Sequence, residues 1–336
     1  MGGIARSLAT MAHSPVLPVL RASPFSSLPP LLIDMDMGID DAIALALLPA
    51  MLVTSVGGML TASSAAMSAR RLLGGLGGAT PLSVCMGLDP PNDYTALASW
   101  GPAYRLRCER MLDDIALPEA SVMDTAQLPG SAVDAIIAAA RDHPSATLLC
   151  LGPLTNIAEA IRREPRLLRM LGQIVILGGA VRRKGHAPCG AEWNMWCDPR
   201  AATATFEAAA AAGIVLVLLA NDCVNEDAID VHSEAVSRLC EPVACDEEGL
   251  AATQLARKRF GRRLVALQPE ALTMDPLAAA YVLDPSLFEM EETHVAVDPD
   301  TGVTYEVGPG KGARLQLATR IDSRGYERLL LKELLN

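Results

Sequence analysis

Short apolar runs alternate with Ala- and Leu-rich helical stretches along most of this chain, and that alternation constrains the fold more than any other feature. The runs are PLLIDMD (30–36), MLVTSVGG (51–58), TPLSVCMG (80–87), ATLLCLGPL (146–154), QIVILGGAV (173–181) and GIVLVLLAND (213–222). Between them, residues 39–48, 62–77, 156–171 and 199–212 carry helical patterns. Strand, helix and strand repeated in this way imply an α/β fold with a mostly parallel central sheet and helices on both faces. HVAVDP, VTYEVG and ARLQLATRI alternate after residue 293, which predicts short antiparallel strands near the C-terminus, ahead of a final helix in GYERLLLKELL. The segment 225–270, with ARKRFGRRL in it, reads as a helical excursion or a flap over the ligand-binding end of the sheet. In such sheets ligands bind beyond the carboxyl ends of the strands. The residues to inspect are therefore those that close the runs.

With 51% hydrophobic and 20% charged residues, a chain of 336 residues can bury a large core. A net charge of -11 and the absence of a Lys/Arg-rich run argue against nucleic acid or an anionic membrane as partner and favour a small-molecule substrate. No apolar stretch approaches the roughly 18 residues a membrane-spanning helix needs. The eight cysteines form no CxxC pair, so they indicate neither a zinc site nor a disulfide framework, and reduced thiols in an intracellular compartment are expected. Residues 1–30 hold Arg6 and Arg21 with no acidic residue and much Ser, Ala and Pro; they read as a disordered leader or an organellar transit peptide ahead of one domain, 31–336. The protein is expected in the cytoplasm, or in an organelle if that leader directs it there.

The first run ends in LLIDMDMGIDDAIALALL (31–48), which concentrates Asp34, Asp36, Asp40 and Asp41 inside apolar sequence. Buried carboxylates without partners are costly, so they pair, protonate or bind a cation. Asp34 and Asp36 share a strand face by their spacing, Gly38 permits the turn, and Asp40 and Asp41 fall in a helix first turn, where carboxylates are favoured. Four carboxylates exceed what a helix dipole needs, and an all-oxygen set suits Ca²⁺ or Mg²⁺. An EF-hand would require Gly and Glu where Ile39 and Leu45 stand. A haloacid-dehalogenase-like phosphatase also opens with a strand and D-x-D, but Met37 and Gly38 occupy the positions where its pattern continues with Gly and then Thr or Val.

The stretch resembles the D-x-D-x-G-x-D-D-A signature of the nucleoside hydrolases, also called inosine-uridine-preferring nucleoside N-ribohydrolases. The likeness continues in order through LGPLTNIAEAI (151–161), ILGGAV (176–181), AEWNMWCDPRAA (191–202) and MDPLAAAYVLDP (274–285). The resemblance implies Ca²⁺-dependent cleavage of the N-glycosidic bond of ribonucleosides, in nucleoside salvage or catabolism, by a homodimer or homotetramer. It implies a Ca²⁺ held by Asp36, Asp41, the Leu151 carbonyl and Asp275. Asp34 supports the site, Asp36 serves as the base for water, and Asp40, Glu192 and Asn194 grip ribose hydroxyls. An oxocarbenium-like transition state calls for a carboxylate base of this kind.

Four positions depart from the family pattern. Met274 stands where many members carry the His that helps the base leave, Trp100 where another His precedes Gly, Met59 where an Asn follows the second strand, and His186 where an Asn precedes Glu192. Purine-preferring relatives lack the leaving-group His and stack the base on aromatics, so a purine preference is expected, with Trp100 as a stacking surface and His186 as a substitute sugar donor. Trp193 and Trp196 read as core. The alternatives are the phosphatase, or a catalytically weak nucleoside- or ribose-binding protein.

Overall fold

The computed structural model describes residues 28–76, 84–91, 101–114, 131–225, 227–241 and 252–335. The leader up to residue 27 and Trp100 lie outside the described residues.

The strands are β1 (Leu31–Met35), β2 (Leu52–Ser55), β3 (Val84–Met86), β4 (Thr147–Cys150), β5 (Gln173–Leu177), β6 (Leu216–Leu219), β7 (Phe288–Val297), β8 (Thr304–Glu306) and β9 (Ala313–Ile321). They form one sheet in the order β3-β2-β1-β4-β5-β6-β9-β7-β8. The pairings from β3 through to β9 are parallel, while β7 runs antiparallel to both β9 and β8. The expected parallel sheet with antiparallel strands near the C-terminus is therefore present. The tail is no separate meander: β9 joins the main sheet beside β6, and β7 begins at Phe288, ahead of the expected start.

The helices are α1 (Ile39–Leu47), α2 (Ala62–Gly75), α3 (Gly101–Asp114), α4 (Ala132–Asp142), α5 (Thr155–Arg163), α6 (Leu167–Met170), α7 (Trp193–Cys197), α8 (Pro199–Ala212), α9 (Glu234–Cys240), α10 (Ala252–Leu267), α11 (Asp275–Leu283) and α12 (Ser323–Leu334). The single helical pattern read over 156–171 is two helices, because Pro165 bars the preceding Glu164 from helical dihedrals and ends α5 there. The charged segment after residue 225 supplies α9 and α10, and α10 packs on α1. Four helices, α3, α4, α7 and α11, went unread in the sequence.

Both sheet faces are covered, as a parallel sheet requires. Along β1, Leu31, Ile33 and Met35 enter one core cluster and Leu32 the other. The chain runs outward from β1 through β2 to β3, then returns to the opposite side of β1 as β4. This reversal opens a crevice at the carboxyl ends of β1 and β4, where open α/β sheets place their ligands.

Candidate active site

Asp34 and Leu151 emerge side by side at that switch point, where the Leu151 N–H donates to the Asp34 carbonyl at 2.8 Å. Asp34 is the last but one residue of β1 and is 1% exposed. Its Oδ1 accepts from Thr54 Oγ1 at 2.6 Å and from Asn156 Nδ2 at 2.8 Å. Burial pushes its pKa up to about 7, and the Asp36 charge adds to the rise, against the pull of the Thr54 and Asn156 donors. Asn156, wholly buried, also donates to the Ser55 carbonyl at 2.9 Å and accepts from the Leu88 N–H at 2.9 Å. It ties β1, β2 and the segment after β3 together beneath the carboxylates. Asn156→Ala is expected to cost about 3 kcal/mol, because it orphans buried partners at each bond; a urea titration of the variant measures this.

Beyond β1 the chain turns sharply, and the residue that bends is not Gly38 as the sequence suggested. Met37 adopts the left-handed conformation (φ 62°), while Gly38 has an ordinary φ of -65°. Met37 is held there by complete burial of its side chain, which offsets a backbone conformation unusual for a residue with a Cβ. Gly38 is needed for space: a Cβ there would collide with the Asp40 carboxylate. Its N–H donates to Asp41 Oδ2 at 2.7 Å and caps the start of α1.

That turn brings Asp36, Asp40 and Asp41 together, and α11 delivers Asp275 to them. Oxygens of Asp40, Asp41 and Asp275 lie within 4.8 Å of one another. Asp36 adjoins this trio, sharing a hydrogen bond with Asp41 and accepting the Met59 N–H at Oδ2, 2.6 Å away. Asp275 stands at the first helical position of α11, is 2% exposed and shares a hydrogen bond with Asp41. Burial raises all four, and repulsion from the neighbouring carboxylates adds to the rise at Asp40, Asp41 and Asp275. Asp40 reaches about 7, through burial and then the charge of Asp36. Asp41 and Asp275 go well above the usual carboxylate range, through burial first and then Asp275 and Asp40 respectively. Burial also raises Asp36, with the Met59 N–H opposing it.

Such a set is stable only with protons or a cation between the carboxylates. Asp34 Oδ2 and Asp41 Oδ1 are buried and make no hydrogen bond among the described residues. Hard oxygen donors with buried, uncompensated atoms fit Ca²⁺ or Mg²⁺ rather than a soft metal.

Opposite the acidic cluster, Glu192 is the N-cap of α7. Its Oε2 accepts from the Gly179, Asn194 and Met195 N–H groups at 3.0, 3.0 and 3.2 Å. Gly179 takes a φ of 82°, a backbone conformation that suits glycine and turns its N–H to Glu192. Burial raises the Glu192 pKa, and nearby His186 opposes the rise. His186 itself is exposed and sits 3.5 Å from Asn221 Nδ2. Asn194 donates through Nδ2 to the Leu151 and Leu177 carbonyls at 2.8 and 3.1 Å, which leaves its Oδ1 as the atom able to meet a sugar hydroxyl. Leu151 O keeps a second lone pair for a cation. Trp193 and Trp196 are buried and pack edge to face, 5.7 Å apart.

The structure thus gathers Asp34, Asp36, Asp40, Asp41, Leu151, Glu192, Asn194, His186 and Asp275 around one crevice. Sequence reasoning missed Thr54, Asn156, Tyr104 and Arg105. Only Asn156 left a trace, as an amide in the first turn of the amphipathic helix α5.

The family model of the inosine-uridine preferring nucleoside hydrolases matches residues 31–328. Among curated proteins, the pyrimidine-specific ribonucleoside hydrolase RihA of Citrobacter koseri is 29% identical over 322 residues, covering 91% of this chain and 97% of the relative. The non-specific ribonucleoside hydrolase RihC of Klebsiella pneumoniae is 27% identical and covers 89% and 96%. Two solved structures share the fold, each with a TM-score of 0.70. They are the plant nucleoside hydrolase PpNRh1 (21% identity; 91% of this chain, 98% of that one) and the purine-preferring ribonucleoside hydrolase of Gardnerella vaginalis (20%; 90% and 97%). A match that runs from the first strand into the last helix and takes in all five acidic and polar blocks leaves one conclusion: this chain belongs to the inosine-uridine preferring nucleoside hydrolases, a family of ribonucleoside N-glycosidases.

Proposed function

We propose that this chain hydrolyses ribonucleosides to free base and ribose with a bound Ca²⁺, and that it prefers purine nucleosides. The observation that carries the reading is the convergence of Asp36, Asp40, Asp41 and Asp275 at the topological switch point, with Asp41 Oδ1 buried and without a hydrogen-bond partner among the described residues. Asp36, Asp41, Asp275 and the Leu151 carbonyl are the ligands; a cation there supplies positive charge that acidifies water at the site. Asp36 takes the proton from the attacking water. The resulting hydroxide adds to C1′ of the ribose as the C1′–N bond breaks, and the bonding pair leaves with the base. Asp40, Glu192 through its free lone pairs and Asn194 through Oδ1 bind the ribose hydroxyls. His186, beside Glu192, adds a sugar donor.

Purine preference rests on Met274. Its side chain is 38% exposed beside Asp275 and has no proton to give the departing base. A purine offers a basic ring nitrogen that solvent can protonate, whereas a pyrimidine leaves poorly without an enzyme acid. The pyrimidine specificity of the relative RihA favours a second reading, pyrimidine nucleosides. Comparing kcat/KM for inosine, guanosine, adenosine, uridine and cytidine separates the two. The purines are expected to lead by about 10-fold or more, the low end of what a missing general acid costs; uridine or cytidine cleaved as well as inosine would overturn the preference.

Among the described residues no helix is long and apolar enough to cross a membrane. Residues 31–336 are read as one domain that acts as a homodimer or homotetramer in nucleoside salvage or catabolism, in the cytoplasm unless the leader directs it to an organelle.

A further inference from the structure

Helix α3 takes no part in the chemistry above, yet two consecutive side chains from it reach the acidic site. Its inward face follows helical spacing through Gly101, Tyr104, Cys108 and Met111, and Cys108 and Met111 are fully buried. Tyr104 and Arg105, both half-buried, stand on the part of that face nearest the carboxylates.

Arg105 Nε donates to the Met59 carbonyl at 2.8 Å. The N–H of the same Met59 donates to Asp36 Oδ2 at 2.6 Å, the shortest backbone contact to any of the four carboxylates. The loop carrying Met59 lies hard against Asp36: a Cβ on Gly58 would collide with its carboxylate, and the Leu60 N–H reaches the Asp36 carbonyl at 3.4 Å. A donor that must stand this close to a carboxylate needs an anchor on its far side, and the guanidinium provides it. The Met59 side chain offers no polar atom to do so. Tyr104, one residue earlier, directs its hydroxyl at Asp40 Oδ1, 3.4 Å away. A hydroxyl facing a carboxylate donates, and this one fixes the orientation of Asp40.

We propose that α3 is the positioning element of the site, with Arg105 setting Asp36 through the Met59 backbone and Tyr104 setting Asp40. The inference rests on the reading of Asp36 as base and Asp40 as sugar ligand, and it assigns the two neighbours separable effects. Loss of the Arg105 anchor loosens the base and slows turnover. Loss of the Tyr104 hydroxyl loosens the ribose grip and raises KM.

The experiment is steady-state ribose release from inosine by the full chain with Ca²⁺, comparing wild type with Arg105→Met, Arg105→Lys and Tyr104→Phe, with Tm measured for each. Arg105→Met is expected to lower kcat about 10-fold with KM within about twofold, and Arg105→Lys to recover part of the loss, because small misplacements of a catalytic group cost this much. Tyr104→Phe is expected to raise KM about fivefold with kcat within about twofold, the signature of lost sugar binding. Wild-type constants in both variants, or kcat and KM changing alike in step with Tm, overturn the inference while leaving the functional reading intact. A wild-type protein that releases no ribose from any nucleoside fails the functional reading, and the inference falls with it.

Discussion

Asp36→Asn is expected to lower kcat by at least about 100-fold, the range for losing a general base, while leaving the protein folded. The substitution keeps the shape of the side chain and an acceptor for the Met59 N–H, which donates to Oδ2 at 2.6 Å. It removes the lone pair that would take the water proton, and one of four crowded negative charges. Burial raises the pKa of Asp36, and its charge raises those of Asp40, Asp41 and Asp275 in turn. Without a bound cation, the variant is therefore expected to melt no lower than wild type, because a repelling charge has gone. The separation of effects matters: lost activity at unchanged or higher Tm identifies Asp36 as chemistry, whereas wild-type kcat would remove it from the mechanism. Activity and Tm measured on the same preparation decide it.

Asp41→Asn is expected to weaken Ca²⁺ binding by more than about 100-fold, since even partners outside the ligand set typically contribute 10- to 100-fold to metal affinity. The amide retains an oxygen for the Gly38 N–H, so the cap of α1 survives. What disappears is the charge on a side chain whose Oδ1 is buried without a hydrogen-bond partner among the described residues. Asp275→Ala is expected to behave similarly, because it removes a buried carboxylate whose oxygen lies within 4.8 Å of those of Asp40 and Asp41. Metal analysis after exhaustive dialysis, backed by calorimetric titration with Ca²⁺, tests both. Full calcium retention in both variants would contradict the ligand set.

Much of this was legible in the sequence because a parallel sheet writes itself as apolar runs buried on both faces. β1 to β6 fall inside the runs expected, and the residues that close β1 and β4, Asp34, Asp36 and Leu151, line the crevice. The acidic cluster was legible because charge inside apolar sequence must be compensated. Other features depended on long-range packing. The left-handed turn fell on Met37 rather than Gly38, since burial of the methionine side chain and clearance for the Asp40 carboxylate decide which residue bends. The short C-terminal strands gave no sign that β9 would extend the parallel sheet beside β6. α3 was missed because its charged, weakly amphipathic sequence hides a narrow inward face, and with it went Tyr104 and Arg105. Thr54 and Asn156 act through contacts 20 and 122 residues distant from Asp34, which no local pattern encodes.

The central claim is that the carboxylate crevice breaks an N-glycosidic bond with water, and product analysis of inosine incubated with the purified chain tests it most directly. The account predicts hypoxanthine and free ribose in equal amounts, lost on chelation, restored by Ca²⁺, and absent with Asp36→Asn. Nucleoside binding without any release of ribose, or release of phosphate from phosphomonoesters in its place, would contradict it.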